Sequence, residues 1–250
     1  MESSGTVDKA LDVLFHLHGA ARPQGVTAVG RALGLPKSSA HRLLTSLGRR
    51  GLVERDERGC YRPGIGLVAL GLGALAGEPI AAAARPVLEE AAHAVGETFF
   101  LVAARAGRLV VLDKAEGTGF LRAAPRIGSS VPVHATAVGK LFLAFGDGAV
   151  ALPPPPYERF SPHTPTTAAE LEAEVAEVRR RGIAENREEW IPGLRVLAAP
   201  VRARDGAPML AAVAVAASSQ HFEALFADEI DERTRAAGRR IAARLEGTAR

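Results

Sequence analysis

The segment Pro36 to Gly51, PKSSAHRLLTSLGRRG, constrains the fold more than any other stretch. Ala40, Leu43, Leu44 and Leu47 recur at spacings of three and four, so only an α-helix gathers them on one side. Pro36 suits the first turn of such a helix and Gly51 its stop. Lys37, Ser38, Ser39, His41, Arg42 and Thr45 make the opposite face, which continues into Arg49 and Arg50. The apolar stripe requires cover from neighbouring elements, and the flanking sequence offers it. Val7, Ala10, Leu11, Leu14 and Phe15 predict a first helix at the same spacing. Thr27 reads as the N-cap of a short second helix with Val29, Ala32 and Leu33 inward, ending near Gly34. After Gly51, LVERDERGCYRP reads as two β-prone runs around an Asp-Glu-Arg-Gly turn. A hairpin following a helix-turn-helix is the winged-helix arrangement.

Charge is distributed in keeping with that module. The 250-residue chain carries +3, but residues 1–62 hold ten Lys plus Arg against six Asp plus Glu, and the remainder twenty-one against twenty-two. Residues 22–62 alone hold nine basic and three acidic side chains, the footprint of a polyanion-binding surface. Hydroxyls and a guanidinium near a helix N-terminus match the phosphates and base edges of a major groove about 12 Å wide.

The stretch Gly64 to Gly77 sets Ile65, Leu67, Val68, Leu70, Leu72 and Leu75 among five glycines, each costing about 1 kcal/mol of helix propensity. A helix there needs packing to survive. Farther on, Ile80 to Val95 predicts a helix, and Thr98–Arg105 with Arg108–Lys114 predicts a hairpin at Ala106-Gly107. Ala137 to Phe145 reads as a short buried helix, and Thr167 with Glu170 as a capping box opening a helix that stops before Gly182. Arg195–Arg202 and Pro208–Ser218 flank Asp205-Gly206, the second run apolar enough for a strand buried on both faces. A last helix is expected from about Phe222 to Leu245.

Enzymatic signals fail on inspection. Gly139-Lys140 lacks the glycine and the hydroxyl of a phosphate loop, since His134 and Leu141 stand in their places. There is no Gly-x-Ser-x-Gly elbow, and the seven scattered histidines and single Cys60 offer no metal-ligand spacing, so no enzyme, cofactor or metal is expected. One cysteine excludes an intramolecular disulfide, and MESSGTVDKALDV resembles no targeting signal. No run reaches the roughly 20 apolar residues of a membrane span. A cytoplasmic protein without membrane association is the expectation.

Three stretches resemble the IclR family of bacterial transcriptional regulators: VDKALDVLFHL with GLPKSSAHRLLTSLGRRGLVERDERGCYRPG, then VPVHATAVGKLFLAF, then RGIAENREEWIPGLRVLAAPVRARDGAPMLAAVAVAAS. The resemblance spans about residues 5–245 and implies an α+β protein. Residues 1–63 would form a winged helix-turn-helix, 64–78 a linker helix, and 79–250 a GAF-like mixed α/β effector-binding and oligomerisation domain. It further implies a homodimer, or a dimer of dimers, on a palindromic operator in double-stranded DNA. Ser38, Ser39, His41, Arg42 and Thr45 would approach base edges, and Thr27, Lys37, Arg49, Arg50 and Arg58 phosphates. Phe120, Ala137, Val138, Asn186, Val196, Ala214 and Ala216 would line a small-molecule effector pocket. Relatives that bind small keto acids carry an acidic residue, a cysteine and two serines where this chain has Asn186, Val196, Ala214 and Ala216. A less polar effector is therefore expected. The competing expectations are a DNA-binding dimer without an effector and, less favoured, a small-molecule enzyme.

Overall fold

The computed structural model describes residues 5–119, 125–204, 206–224 and 227–248. The chain divides into two units, Met1–Glu78 and Pro79–Arg250.

In the first unit, α1 (Thr6–Gly19), α2 (Val26–Ala32) and α3 (Lys37–Arg49) precede the hairpin β1 (Val53–Arg55) and β2 (Tyr61–Pro63), and α4 (Ile65–Ala76) follows. Leu43, Leu44 and Leu47 of α3 pack with Val13, Leu17, Val29, Val53 and Tyr61 into one core. Gly51, at φ +69°, ends α3 and turns the chain into the wing.

Two sequence expectations need correction. Thr27 is not an N-cap: α2 begins at Val26, with Gly25 extended before it. The cause is tertiary, because Gln24 exchanges backbone hydrogen bonds with Tyr61 of the wing at 2.9 and 2.8 Å and keeps the chain extended up to Gly25. In α1 the helix forms as expected, but its buried residues are Val13 and Leu17. Val7 is 71% and Phe15 72% exposed, with Leu11 exposed between them. Helix α1 thus carries two apolar faces, only one of which meets its own unit.

Helix α4 starts where the backbone approaches closely. A Cβ on Gly64 would stand 2.3 Å from the Gly51 carbonyl oxygen, and one on Gly66 2.8 Å. Their absence lets the Gly66 N–H donate to that oxygen at 2.9 Å while the Glu54 carboxylate accepts from the Ile65 N–H at 3.0 Å.

The second unit is built on a six-stranded antiparallel sheet in the order β5-β4-β3-β8-β7-β6. Its strands are β3 (Thr98–Arg105), β4 (Arg108–Ala115), β5 (Ser130–Val131), β6 (Ala184–Arg187), β7 (Leu194–Val201) and β8 (Ala211–Ser218). The helices are α5 (Pro79–Val95), α6 (Ala137–Phe145), α7 (Ala168–Arg181), α8 (Ser219–Ala224) and α9 (Ala227–Thr248). The pleat sorts side chains to the two faces. Phe99, Leu101, Val213 and Val215 join the core under α5 and α9, while Phe100, Val102, Ala212, Ala214 and Ala216 join the core under α6. Strand β8 is buried on both faces, as its aliphatic run predicts. Strands β5 and β6 escape the sequence reading because two and four residues are too short to show a period. The capping box of α7 is present, Thr167 accepting from the Glu170 N–H and Glu170 from the Thr167 N–H. Gly182 stops the helix at φ +71°. Of the expected Asp205-Gly206 turn, Asp205 lies outside the described residues. Gly139 lets α6 sit on the chain before it, since a Cβ there would fall 1.8 Å from the Val133 carbonyl oxygen.

Candidate functional site

Two sites emerge, one in each unit. On α3, Ser38, Arg42, Thr45 and Arg49 fall at intervals of four, three and four, a single stripe opposite the buried Ala40, Leu43, Leu44 and Leu47. Lys37 and His41, both exposed, flank it on one side and the half-buried Ser39 on the other, while Arg50 follows as the C-cap. Arg42 and Arg50 also border a groove between α1 and α3, together with Ser46, which the sequence reading passed over. Thr27 is exposed on α2. Arg58 is exposed on the wing turn, where Asp56 closes a tight loop by accepting from the Cys60 N–H at 2.8 Å.

The electrostatics of this surface lie in what its cations do not touch. Lys37, Arg42, Arg49, Arg50 and Arg58 have no ion pair among the described residues. Arg62, in contrast, pairs with Glu54 at 3.1 Å, and Arg55 lies over the Tyr61 ring at 5.8 Å. These five side chains carry charge that no carboxylate among the described residues neutralises.

The second site is a narrow cleft between the α6 face of the sheet and α6 itself. Its floor is a register row: Asn186 pairs with Val196, and Val196 with Ala216. Ala137 and Val138, in the first turn of α6, form one wall; Trp190 and Ile191, in the turn between β6 and β7, form another. Phe100 and Thr136 complete much of the lining. Five of the seven residues expected there come together. Ala214 does not border the cleft; it pairs with Ala198 and Phe100 one row farther along, fully buried in the core beneath α6. Phe120 lies outside the described residues.

Polar side chains here are few. The Asn186 amide donates to the Ala135 carbonyl at 2.6 Å. The Thr136 hydroxyl donates to the Pro132 carbonyl at 2.7 Å and accepts from the Gly139 N–H at 3.0 Å, capping α6. Trp190 and Ile191 carried one signal in the sequence, two large apolar residues directly after Arg187-Glu188-Glu189, where a turn is otherwise expected to be polar.

A winged helix-turn-helix with an unpaired cationic stripe on α3 defines the class, a DNA-binding protein, and comparison with known proteins gives the family. The IclR helix-turn-helix domain matches residues 6–57 and the bacterial transcriptional regulator IclR C-terminal domain matches residues 72–243. A protein described as "Probable transcriptional regulator SauR" from Cupriavidus necator is 34% identical over 217 residues, covering 85% of this chain and 86% of that one. The HTH-type transcriptional regulator XynR of Escherichia coli is 32% identical over 200 residues, 78% and 79% of the two chains. The chain belongs to the IclR family of bacterial transcriptional regulators; it is a DNA-binding regulator and not an enzyme. Among solved structures, the Thermotoga maritima IclR superposes with a TM-score of 0.80 at 24% identity, over 96% of this chain and 98% of that one. An IclR homologue from Microbacterium hydrocarbonoxydans complexed with 4-hydroxybenzoate superposes with a TM-score of 0.79 at 22% identity, over 97% and 100%. Both likenesses are of fold.

Proposed function

We propose that this regulator binds a palindromic operator as a homodimer, able to pair into a dimer of dimers, and that a largely apolar, aromatic small molecule in the C-terminal cleft controls it. The observation that carries this reading is the lining of the cleft, Phe100, Val138, Trp190, Ile191, Val196 and Ala216, with the Thr136 hydroxyl and one Asn186 N–H already donating to main-chain carbonyls. A small keto acid would surrender the hydration of its carboxylate for few side-chain donors, whereas an aromatic ring keeps most of its transfer free energy against this lining. The homologue that holds 4-hydroxybenzoate supports this chemistry by analogy.

On the DNA side, Ser38, Ser39, His41, Arg42 and Thr45 address base edges, and Thr27, Lys37, Arg49, Arg50 and Arg58 address phosphates. The exposed Val7, Leu11 and Phe15 of α1 and Ile65, Val68, Leu70 and Leu72 of α4 support the homodimer, because apolar side chains left this open are the material of an interface between copies. The cytoplasm is the compartment this function requires. No single described helix is long and apolar enough to cross a membrane.

The test begins with recovery of genomic fragments at about 0.15 M salt and a search for a shared palindrome. Thermal shift against a panel of aromatic carboxylates, keto acids and sugars follows. Stabilisation by aromatic members, with altered affinity for the recovered palindrome, supports the reading. Silence across the panel favours a DNA-binding dimer without an effector.

A further inference from the structure

Behind the cleft, a fully buried lysine joins the two walls that the cleft separates. Lys140, on α6 one turn beyond Ala137, is 2% exposed. Its Nζ lies 2.8 Å from each carboxylate oxygen of Glu189, itself buried, and 2.5 Å from Oε2 of the more exposed Glu174 on α7. Glu189 immediately precedes Trp190 and Ile191. Its carboxylate also accepts from the Arg187 N–H at 3.2 Å, and its carbonyl accepts from the Thr164 hydroxyl at 2.5 Å. Glu188, at φ +62°, closes the turn by accepting from the Gly193 N–H at 2.9 Å and from the Ser219 hydroxyl at 2.6 Å. The turn is thus held at its base and at Glu189, while Trp190 is half-buried and Ile191 41% exposed at the cleft. Burial pushes the Glu189 carboxyl above its usual range and Lys140 opposes that shift. An ion pair this deep is a poor source of stability compared with apolar side chains of the same volume. Its value here is positional.

We propose that the Lys140–Glu189 pair is a latch that holds the Trp190–Ile191 turn against α6 and so sets how far the cleft opens, which makes both residues positioning residues for the ligand. The proposal rests on the cleft being the effector site, but its test needs no ligand. Trp190 is the only tryptophan in the chain, so intrinsic fluorescence reports the turn without a label.

The experiment compares acrylamide quenching in the full chain. Lys140→Met combined with Glu189→Gln removes both buried charges at nearly constant volume and leaves without a partner only the Glu174 carboxylate, which is exposed enough to be hydrated. With the circular dichroism of the folded protein retained, the quenching constant should rise about two-fold, with a red-shifted emission, as the turn detaches. Glu189→Gln alone, in which Glu174 still neutralises Lys140, is the milder second variant and should change in the same direction. Arg85→Met with Asp113→Asn breaks a different pair with a buried carboxylate, between α5 and β4, and should leave Trp190 as in the wild type. Wild-type quenching in whichever Lys140 or Glu189 variant folds, or an equal rise in the Arg85 variant, overturns the latch. A wild-type protein silent to every aromatic metabolite defeats the effector reading and leaves this test standing.

Discussion

The two units treat charge in opposite ways. In Pro79–Arg250, many arginines pair with carboxylates: Arg85 with the buried Asp113, Arg187 and Arg195 with Glu185, Arg235 with Asp231, Arg240 with Glu90. In Met1–Glu78, Lys37, Arg42, Arg49, Arg50 and Arg58 have no ion pair among the described residues. Paired charges on the C-terminal unit cost little and attract little. Unpaired ones repel one another within a small module, a penalty that a polyanion relieves by releasing its counterions. Polarity runs the other way in the sites: the first unit exposes hydroxyls and guanidinium groups on a convex helix, and the second buries a cleft with few polar side chains.

This contrast can be broken at either end. The largest effect is expected from Gly139→Ala, which drives a methyl group into the Val133 carbonyl and should cost the C-terminal unit about 3 kcal/mol or more, read by urea unfolding. Next comes Val196→Asp on the cleft floor. A ligand at about 100 times its Kd stabilises the wild type by about 2.7 kcal/mol, and the variant should lose that increment in a thermal shift while still binding operator. An undiminished shift would place the ligand elsewhere.

Arg42→Ala, in the middle of the α3 stripe, should remove about 2 kcal/mol of specific operator affinity, relax discrimination at one base position and leave the fold unchanged. Wild-type affinity in that variant would remove Arg42 from the reading face. The smallest effect is expected from Lys37→Ala, which should weaken binding to all sequences alike and lower the salt-dependence slope by about 1. A sequence-dependent loss there would move Lys37 from phosphate contact to base contact.

Much of the α3 surface was legible in advance because a helix fixes which residues share a face by spacing alone: Leu43, Leu44 and Leu47 must turn one way, so Ser38, Arg42 and Arg49 turn the other. The cleft was legible only in part. Ala137 and Val138 are neighbours in the chain, but Asn186, Val196 and Ala216 meet through strand register, and Ala214 lies on the same face of β8 yet falls one row outside. Trp190 and Ile191 belong to a turn that no periodicity marks.

What the sequence alone determined is local and repetitive: the helices of the first unit, the wing, the hairpin of β3 and β4, the capping box of α7 and the excess of basic residues around α3. Tertiary structure decided the rest. It set the start of α2 through the pairing of Gln24 with Tyr61, and it chose Val13 and Leu17 over Val7 and Phe15 as the inward face of α1. It also brought Lys140 to Glu189 across 49 residues. Periodicity says that a face is apolar, but which of two apolar faces is buried, and which distant carboxylate neutralises a buried lysine, depends on packing partners that one-dimensional spacing does not encode.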